Sequence, residues 1–283
     1  MFILIQKSFK EPKPTLYVVS TPIGNLSDMT YRAVEILKEV DLILAEDTRN
    51  SGILLKHFNI DTPMSSYHEF NKEEKSIEAI NLLAKGKMLA IITDAGTPGI
   101  SDPGYLLIQR VIEANYYVVP IPGASAELAA LVGSGLSMQP HVFIGFLPRK
   151  KAEARNYLSS YDKDHKTLII YESPMRIAQT LNMLLEILGN RNIAIARELT
   201  KTFETWIRTT LEQAVTLEHM TKGEYVIVIE GSTYQETYED MDLKEHVLLC
   251  IKDGLDEKEA MKKVASLRNI PKNEVYKAFK IDK

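Results

Sequence analysis

The chain has 283 residues, 45% apolar and 25% charged, the balance of a folded globular protein and not of a disordered or fibrous one. Its net charge of −4, from 34 Lys and Arg against 38 Asp and Glu, argues against a protein that coats nucleic acid through a uniformly basic surface. No apolar run reaches the roughly 18 residues needed for a membrane span, the apolar start is too short for a secretion signal, and the single cysteine excludes a disulfide framework, so a reducing cytoplasm is expected.

The charge is uneven. Residues 261–283 hold seven bases (Lys262, Lys263, Arg268, Lys272, Lys277, Lys280, Lys283) against Glu274 and Asp282, which leaves +5 in the tail and −9 elsewhere. Ahead of that tail, residues 16–20, 42–45, 88–93 and 117–121 are short apolar or β-branched runs. Each ends in a turn signal and leads into a pattern of helical period. Residues 31–40 form such a helix, with Ala33, Val34, Leu37 and Val40 on one face. Continuous apolar strands alternating with helices predict βαβ units and a sheet covered on both faces.

Gly133-Ser134-Gly135-Leu136-Ser137 suits a hinge or linker. Beyond it, strands are predicted at 142–146, 167–171, 193–196 and 225–229, with an alternating, antiparallel strand over 203–209. A helix is predicted over 173–188, with Pro174 in its first turn. The polar, acidic stretch 231–242 closes this block, and 243–252, 256–267 and 271–279 predict three short helices. The expected organisation is an extension (1–14), two α/β domains (15–136 and 137–232), and a linker with a small helical extension (233–283). Cys250 falls on an apolar helix face and is expected to be buried; Trp206 suits a core or an interface.

Ligands of open α/β sheets sit beyond the carboxyl ends of the strands. Those turns read Thr21-Pro22-Ile23-Gly24-Asn25, Glu46-Asp47-Thr48-Arg49, a run of eleven from Asp94 to Gly104 with three glycines and two prolines, and Pro122-Gly123-Ala124-Ser125-Ala126. Small side chains let a ligand approach the backbone. Neither G-x-x-x-x-G-K-[ST] nor a first-turn G-x-G-x-x-G is present, so a triphosphate cradle and a dinucleotide fingerprint are not expected. Four acidic residues and one base, Arg49, suit a cationic ligand with ribose hydroxyls better than a pyrophosphate. S-adenosylmethionine answers that description; turns built only for tightness are the alternative for any one loop.

Seven ordered motifs then add a resemblance: TPIGNLSDMTYRA from Thr21, AEDTR from Ala45, DAGTPGISDPG from Asp94, PIPGASAELAAL from Pro120, GFLPRK from Gly145, YESPMRI from Tyr171 and ARELTKTFE from Ala196. Together they resemble the ribosomal RNA small-subunit methyltransferase I family, a branch of the tetrapyrrole-methylase, class III methyltransferase superfamily. The basic tail is similar to that family's helix-turn-helix-like extension. The resemblance implies two tetrapyrrole-methylase-type α/β domains, a homodimer, and S-adenosylmethionine as donor. It further implies 2′-O-methylation of a cytidine ribose in the decoding region of 16S, small-subunit ribosomal RNA, free or in the assembled subunit. Cofactor contacts are implied for Pro22, Ile23, Gly24, Gly96, Thr97, Pro98, Ile100, Ser101, Ser125 and Ala126, with Tyr171, Glu198 and Leu199 from the second domain. Two positions depart from the family pattern: Ser20 stands for a usual Gly, and Met175 for a usual His.

The leaving 2′-proton needs a base, for which Asp102, Glu46 and Asp47 are candidates. Helix capping is the other reading of Asp102, and capping or a salt bridge to Arg49 that of the other two. RNA contacts are expected at Arg49, His68 (with Tyr67), Arg149, Lys150, Lys151, Arg155, Arg176 and Lys201. The six histidines lack metal-ligand spacing, so no metal is expected, and no membrane partner. The rival readings are a methyltransferase of small tetrapyrroles and a noncatalytic nucleotide sensor whose tail binds DNA.

Overall fold

The computed structural model describes residues 5–8, 10, 13–233 and 241–280. Most of the apolar start, half of the 1–14 extension, the acidic stretch 234–240, and Asp282 and Lys283 of the basic tail lie outside the described residues. The chain forms two compact units, Met1–Ser232 and Thr233–Lys283.

The first unit opens with alternating strands and helices: β1 (Thr15–Val19), α1 (Tyr31–Glu39), β2 (Leu42–Ala45), α2 (Thr48–His57) and β3 (Met64–Ser66). There follow α3 (Lys72–Ala84), β4 (Leu89–Ile92), α4 (Tyr105–Glu113), β5 (Tyr117–Ile121) and α5 (Ala126–Ser134). The strands make one parallel sheet in the order β3-β2-β4-β1-β5. Alternate residues feed opposite faces: Leu16, Val18, Leu44, Leu89 and Ile91 enter one core, and Val19, Ile43, Ala45, Ala90 and Ile92 the other. This is why these strands read as unbroken apolar runs. Helix starts are set by side chains: Thr30 accepts from Ala33 N at 3.1 Å and Asp47 from Arg49 N at 2.9 Å. The edge strand β3 has the sequence Met-Ser-Ser, half-buried throughout, and offers no apolar run to detect.

The second sheet follows β6 (His141–Phe146), α6 (Lys151–Ser159), β7 (Thr167–Glu172), α7 (Ile177–Leu188), β8 (Asn192–Arg197), β9 (Thr205–Thr210), α8 (Leu211–Ala214) and β10 (Tyr225–Ile229). Its order is β6-β7-β10-β8-β9, parallel only between β6 and β7. One face is covered by α6, α7 and α8 around Leu158, Leu181, Leu184 and Leu211. On the other face, Ile169, Ala194, Ala196 and Val228 pack against Ala130 and Leu131 of α5. A helix that follows the first sheet thus roofs the second.

Two expectations are corrected here. The helix predicted from Ser173 begins at Ile177, because Arg176 N donates to Ser173 O at 3.0 Å in a turn whose first amide is held by the Glu172 carboxylate at 2.8 Å. The small-residue stretch predicted as a hinge begins inside α5, where Gly133 lies under the Trp206 ring and its carbonyl accepts from Arg208 Nη2 at 2.6 Å. Only Gly135, left-handed at φ 80°, ends the helix.

The second unit holds α9 (Leu243–Lys252), α10 (Glu257–Leu267) and α11 (Lys272–Lys280), started by Asp242 and Asp256 caps on the first two. Their core includes Val247, Cys250, Ala260, Val264 and Val275. Cys250 is buried as a packing residue, as its place on the apolar helix face predicts.

A Cβ on Gly133 would stand 2.5 Å from two indole carbons of Trp206. Gly133→Ala is therefore expected to destabilise the first unit by about 1–3 kcal/mol, read as a lower melting temperature. Combining it with Trp206→Leu, which removes the obstructing ring, should cost less than the sum of the two single changes.

Candidate active site

The loops at the strand ends of both sheets enclose a cavity of about 490 Å³, a size usual for a small-molecule site. From the first sheet it is lined by Ile23, Glu46, the stretch Asp94-Ala95-Gly96-Thr97, Ile100, Ser101, Asp102, and Ser125 with Ala126. The second sheet supplies Phe146, Tyr171, Glu172, Ser173, Pro174, Leu199, Glu224, Tyr225 and Val226.

Backbone pairing fixes the floor of this cavity. Thr21 and Gly96 exchange two hydrogen bonds, at 2.9 and 3.1 Å, and the Thr21 hydroxyl donates to Thr93 O at 3.0 Å. Ser20 Oγ lies 2.8 Å from Thr97 Oγ1, so the serine that departs from the family pattern links the first turn to the third. Gly96 has φ 81°, a conformation that L side chains rarely adopt, and it holds the loop flat against Ile23. Opposite, Glu198 and Thr200 are both left-handed, at φ 54° and 68°, and the bend they make sets Leu199 into the cavity wall.

The electrostatics are one-sided. Glu46, Asp94, Asp102, Glu172 and Glu224 line the cavity, and among the described residues no Lys, Arg or His does. Thr93 Oγ1 donates to Glu46 Oε2 at 2.6 Å, and Asn50 Nδ2 to Asp94 Oδ2 at 2.8 Å. Burial, and then the neighbouring charges of Glu46 and Asp94, push the Asp102 carboxyl above the usual aspartate range. Burial together with Glu127, Asp102 and Glu224 pushes the Tyr171 phenol up to about 12, so at neutral pH it is a hydrogen-bond donor. Such a site suits a small cation with polar ends and disfavours a phosphate.

Among the residues implied as cofactor contacts, Ile23, Gly96, Thr97, Ile100, Ser101, Ser125, Ala126, Tyr171 and Leu199 meet in this cavity. Pro22, Gly24, Pro98 and Glu198 are set back from its wall. Gly24 lies against the Lys201 side chain, and Glu198 accepts from Lys201 Nζ at 2.9 Å and from Glu224 N at 3.1 Å, which staples the loop.

Of the three base candidates, Glu46 and Asp102 face the cavity, and Asp47 does not. Asp47 is consumed by capping α2 and by a two-pronged contact with Arg49, at 3.0 and 2.6 Å. Asp102 is not a helix cap, since α4 starts from Gly104.

The residues expected at RNA are placed differently. Arg49, Arg149 and Lys150 are exposed, with Arg49 paired to Asp47 and Lys150 to Glu153 at 2.9 Å on the surface. Lys201 is held between Glu198 and Glu224, each at 2.9 Å, and Arg176 donates to Leu147 O and Pro148 O at 3.3 and 3.2 Å. Both therefore tie loops together. Arg155 is paired with Glu186, and Lys151 starts α6. His68 is half-buried, and Tyr67, expected with it to meet a nucleotide, is buried with its hydroxyl 3.1 Å from Ser76 Oγ. The exposed ring of that loop is Phe70. Sequence reasoning missed Phe146, Glu172, Ser173 and Pro174; the GFLPRK and YESPMRI motifs that contain them were the available signal.

A family model described as tetrapyrrole (corrin/porphyrin) methylases matches residues 15–215. The chain is 46% identical over 286 residues to the ribosomal RNA small subunit methyltransferase I of Bacillus subtilis (strain 168), covering 98% of each chain. It is 44% identical over 266 residues to the protein of that name from Synechocystis sp., covering 92% and 95%. This chain belongs to the ribosomal RNA small subunit methyltransferase I family. Its fold is that of the wider superfamily. Diphthine synthase superposes with a TM-score of 0.61 at 14% identity, over 92% of this chain and all of the other. The uroporphyrin-III-C-methyltransferase of Thermus thermophilus superposes at 0.56 and 16%, over 77% and 94%. This chain carries two α/β sheets and a set of C-terminal helices.

The raised pKa of Asp102 has a stability consequence. A carboxyl whose folded value lies above its unfolded value favours the native state fully at low pH and loses that contribution as pH rises through the folded value. Asp102→Asn is therefore expected to melt higher than the wild type at pH 7, with the difference closing as pH falls below the ordinary aspartate range. Thermal melts at pH 3.5 to 8, a window set by about that range, measure it.

Proposed function

We propose that this chain is an S-adenosylmethionine-dependent methyltransferase of small-subunit ribosomal RNA, and that its acceptor is the ribose 2′-hydroxyl of a cytidine in the decoding region. The acidic cavity, with no basic residue in its lining among the described residues, carries this reading, together with membership of a family named for that RNA. The donor fits the residues present: a sulfonium and an amine are cationic, and the carboxylates of Glu46 and Asp94 offer the complementary charge. The loop at Gly96 and Thr97, the turn at Ser125 and Ala126, and the side chains of Leu199 and Tyr171 would hold the adenosyl group. Bound there, S-adenosylmethionine supplies an electrophilic methyl group on sulfur.

The protein's part is alignment and proton transfer. Attack of a hydroxyl on a sulfonium disperses charge, so positioning outweighs an oxyanion hole, and orientation can lower the barrier by roughly 7–11 kcal/mol. Asp102 takes the 2′-proton: it faces the cavity, is half-buried, and its elevated pKa makes it a stronger base than a surface aspartate. Ile23, Ile100 and Leu199 keep an apolar lining around the reacting centre. Arg49, Arg149 and Lys150, with His68, are assigned to the RNA.

We place the enzyme in the cytoplasm, as a homodimer. Among the described residues no helix is long and apolar enough to cross a membrane. The tetrapyrrole alternative has less support, because the full-length relatives carry the RNA name.

Tritiated methyl incorporation into small ribosomal subunits tests the reading. Asp102→Asn is expected to cut turnover by about 10²–10⁴-fold while calorimetry finds donor affinity near that of the wild type. The wild-type rate should rise with pH through the elevated Asp102 pKa, since the carboxylate is the active form, and the residual rate of Asp102→Asn should lack that limb. Unchanged turnover in the variant would remove Asp102 from this role, and absence of donor binding by the wild type would end the proposal.

A further inference from the structure

One side chain of the cavity is placed there by an irregularity in its strand. In β6 the pairing with β7 runs Phe143 to Ile169, then Gly145 to Ile170 and Phe146 to Tyr171, so one residue is bulged out between Phe143 and Gly145. In a regular strand, positions 143 and 146 point to opposite faces. The bulge shifts the phase by one, and Gly145, left-handed at φ 71°, makes the bend. Both phenyl rings consequently meet Tyr171 edge-on, Phe143 at 4.9 Å and Phe146 at 5.7 Å between ring centroids. A bulge that re-aims a side chain into a cavity is a feature for which the sheet itself has no use.

The two rings differ in exposure. Phe143 is packed into the core beneath α5, whereas Phe146 is 57% exposed while lining the cavity. Exposure alone is ordinary for a single aromatic, but an exposed ring that also lines a cavity is placed to meet a ligand. Its setting indicates which. Ile100 and Ser101 of the first sheet line the same cavity as the ring, so the ring stands where the two sheets' loops meet. Immediately after it come Leu147 and Pro148, whose carbonyls Arg176 holds, and then the exposed bases Arg149, Lys150 and Lys151 at the start of α6. A rigid aromatic face followed within three residues by exposed cations is the chemistry that receives an unstacked base with its phosphate.

We propose that Phe146 is the platform on which a nucleobase of the RNA, splayed out of its stack at the methylation site, is laid against the cavity mouth. This deepens the function proposed above and rests on it. Enzymes that do chemistry on a stacked nucleotide draw it out at a cost in stacking, and an aromatic face offsets part of that cost. The T-shaped contact with Tyr171 orients the ring, and over half of the residue stays exposed, so little side-chain freedom is lost on binding.

The experiment compares Phe146→Ala, Phe146→Leu and Phe146→Trp in the full-length protein, with small ribosomal subunits from a strain lacking this enzyme as substrate. Three quantities are read: steady-state methylation, donor affinity by calorimetry, and melting temperature. The expected result is a fall of roughly ten- to a hundredfold in kcat/KM for the subunits in the Ala variant. The Leu variant, apolar but not planar, should fall nearly as far, the Trp variant should recover most of the activity, and donor affinity should not move. Gly145→Ala, which disfavours the bend but keeps the ring, should weaken subunit use in the same direction. A Leu variant equal to wild type would overturn the stacking role, because apolar bulk would then suffice. A parallel loss of donor affinity would also overturn it, since the ring would then serve the adenosine. Wild-type protein that binds the donor but methylates no subunit would overturn the substrate reading and this inference with it.

Discussion

The whole site depends on α5 lying across the second sheet. Ala130 and Leu131 are fully or nearly fully buried against Ile169, Ala194, Ala196 and Val228, and each buried leucine or isoleucine of such a seam contributes about 1.5–3 kcal/mol. Gly133 lets the indole of Trp206 approach the helix backbone, and Arg208 ties off the helix end at the Gly133 carbonyl while its guanidinium stands 4.7 Å over the Trp206 ring. Because the helix starts at Ser125 and Ala126, which also line the cavity, the seam sets where the loops of one sheet stand relative to those of the other. A cavity assembled from both sheets needs that register to hold within a fraction of an ångström.

Charge is partitioned around this frame. The cavity collects carboxylates, and the cations nearest to it are spent on architecture: Lys201 between Glu198 and Glu224, Arg176 on two carbonyls and near the buried Glu172 at 3.6 Å. At Lys201 burial opposes the charge, yet the two carboxylates raise its pKa on balance. Glu198, in turn, is held below the usual carboxylate range by Lys201. The result is an interior of one sign, suited to a sulfonium, beside exposed bases suited to phosphate. An enzyme that brings a cationic donor and a polyanionic acceptor together benefits from keeping their two fields apart.

Much of this was legible in the residues. Strands β1, β2, β4, β5, β7, β8 and β10 are visible as apolar runs because each is buried on both faces, and the tail is visible as three short helical patterns. The glycine- and proline-rich run from Asp94 to Gly104 announced a ligand loop. What escaped has a common cause. β3 is Met-Ser-Ser and holds its place by edge pairing; the turn at 173–176 exists because Glu172 captures the Ser173 amide; Asp47 is spent because Arg49 folds back on it. Each is a competition between alternative partners, settled by what the fold brings near.

The amino-acid order by itself determined the alternation of strands and helices, the loops that carry small and acidic residues, and the family to which they correspond, because periodicity, capping and motif spacing are local quantities. Tertiary structure alone decided which carboxylates face one another, which cations are left for a ligand, and that a one-residue bulge turns Phe146 into the cavity. Those outcomes depend on groups tens of residues apart in the chain meeting within a few ångströms, and no local pattern encodes such a meeting.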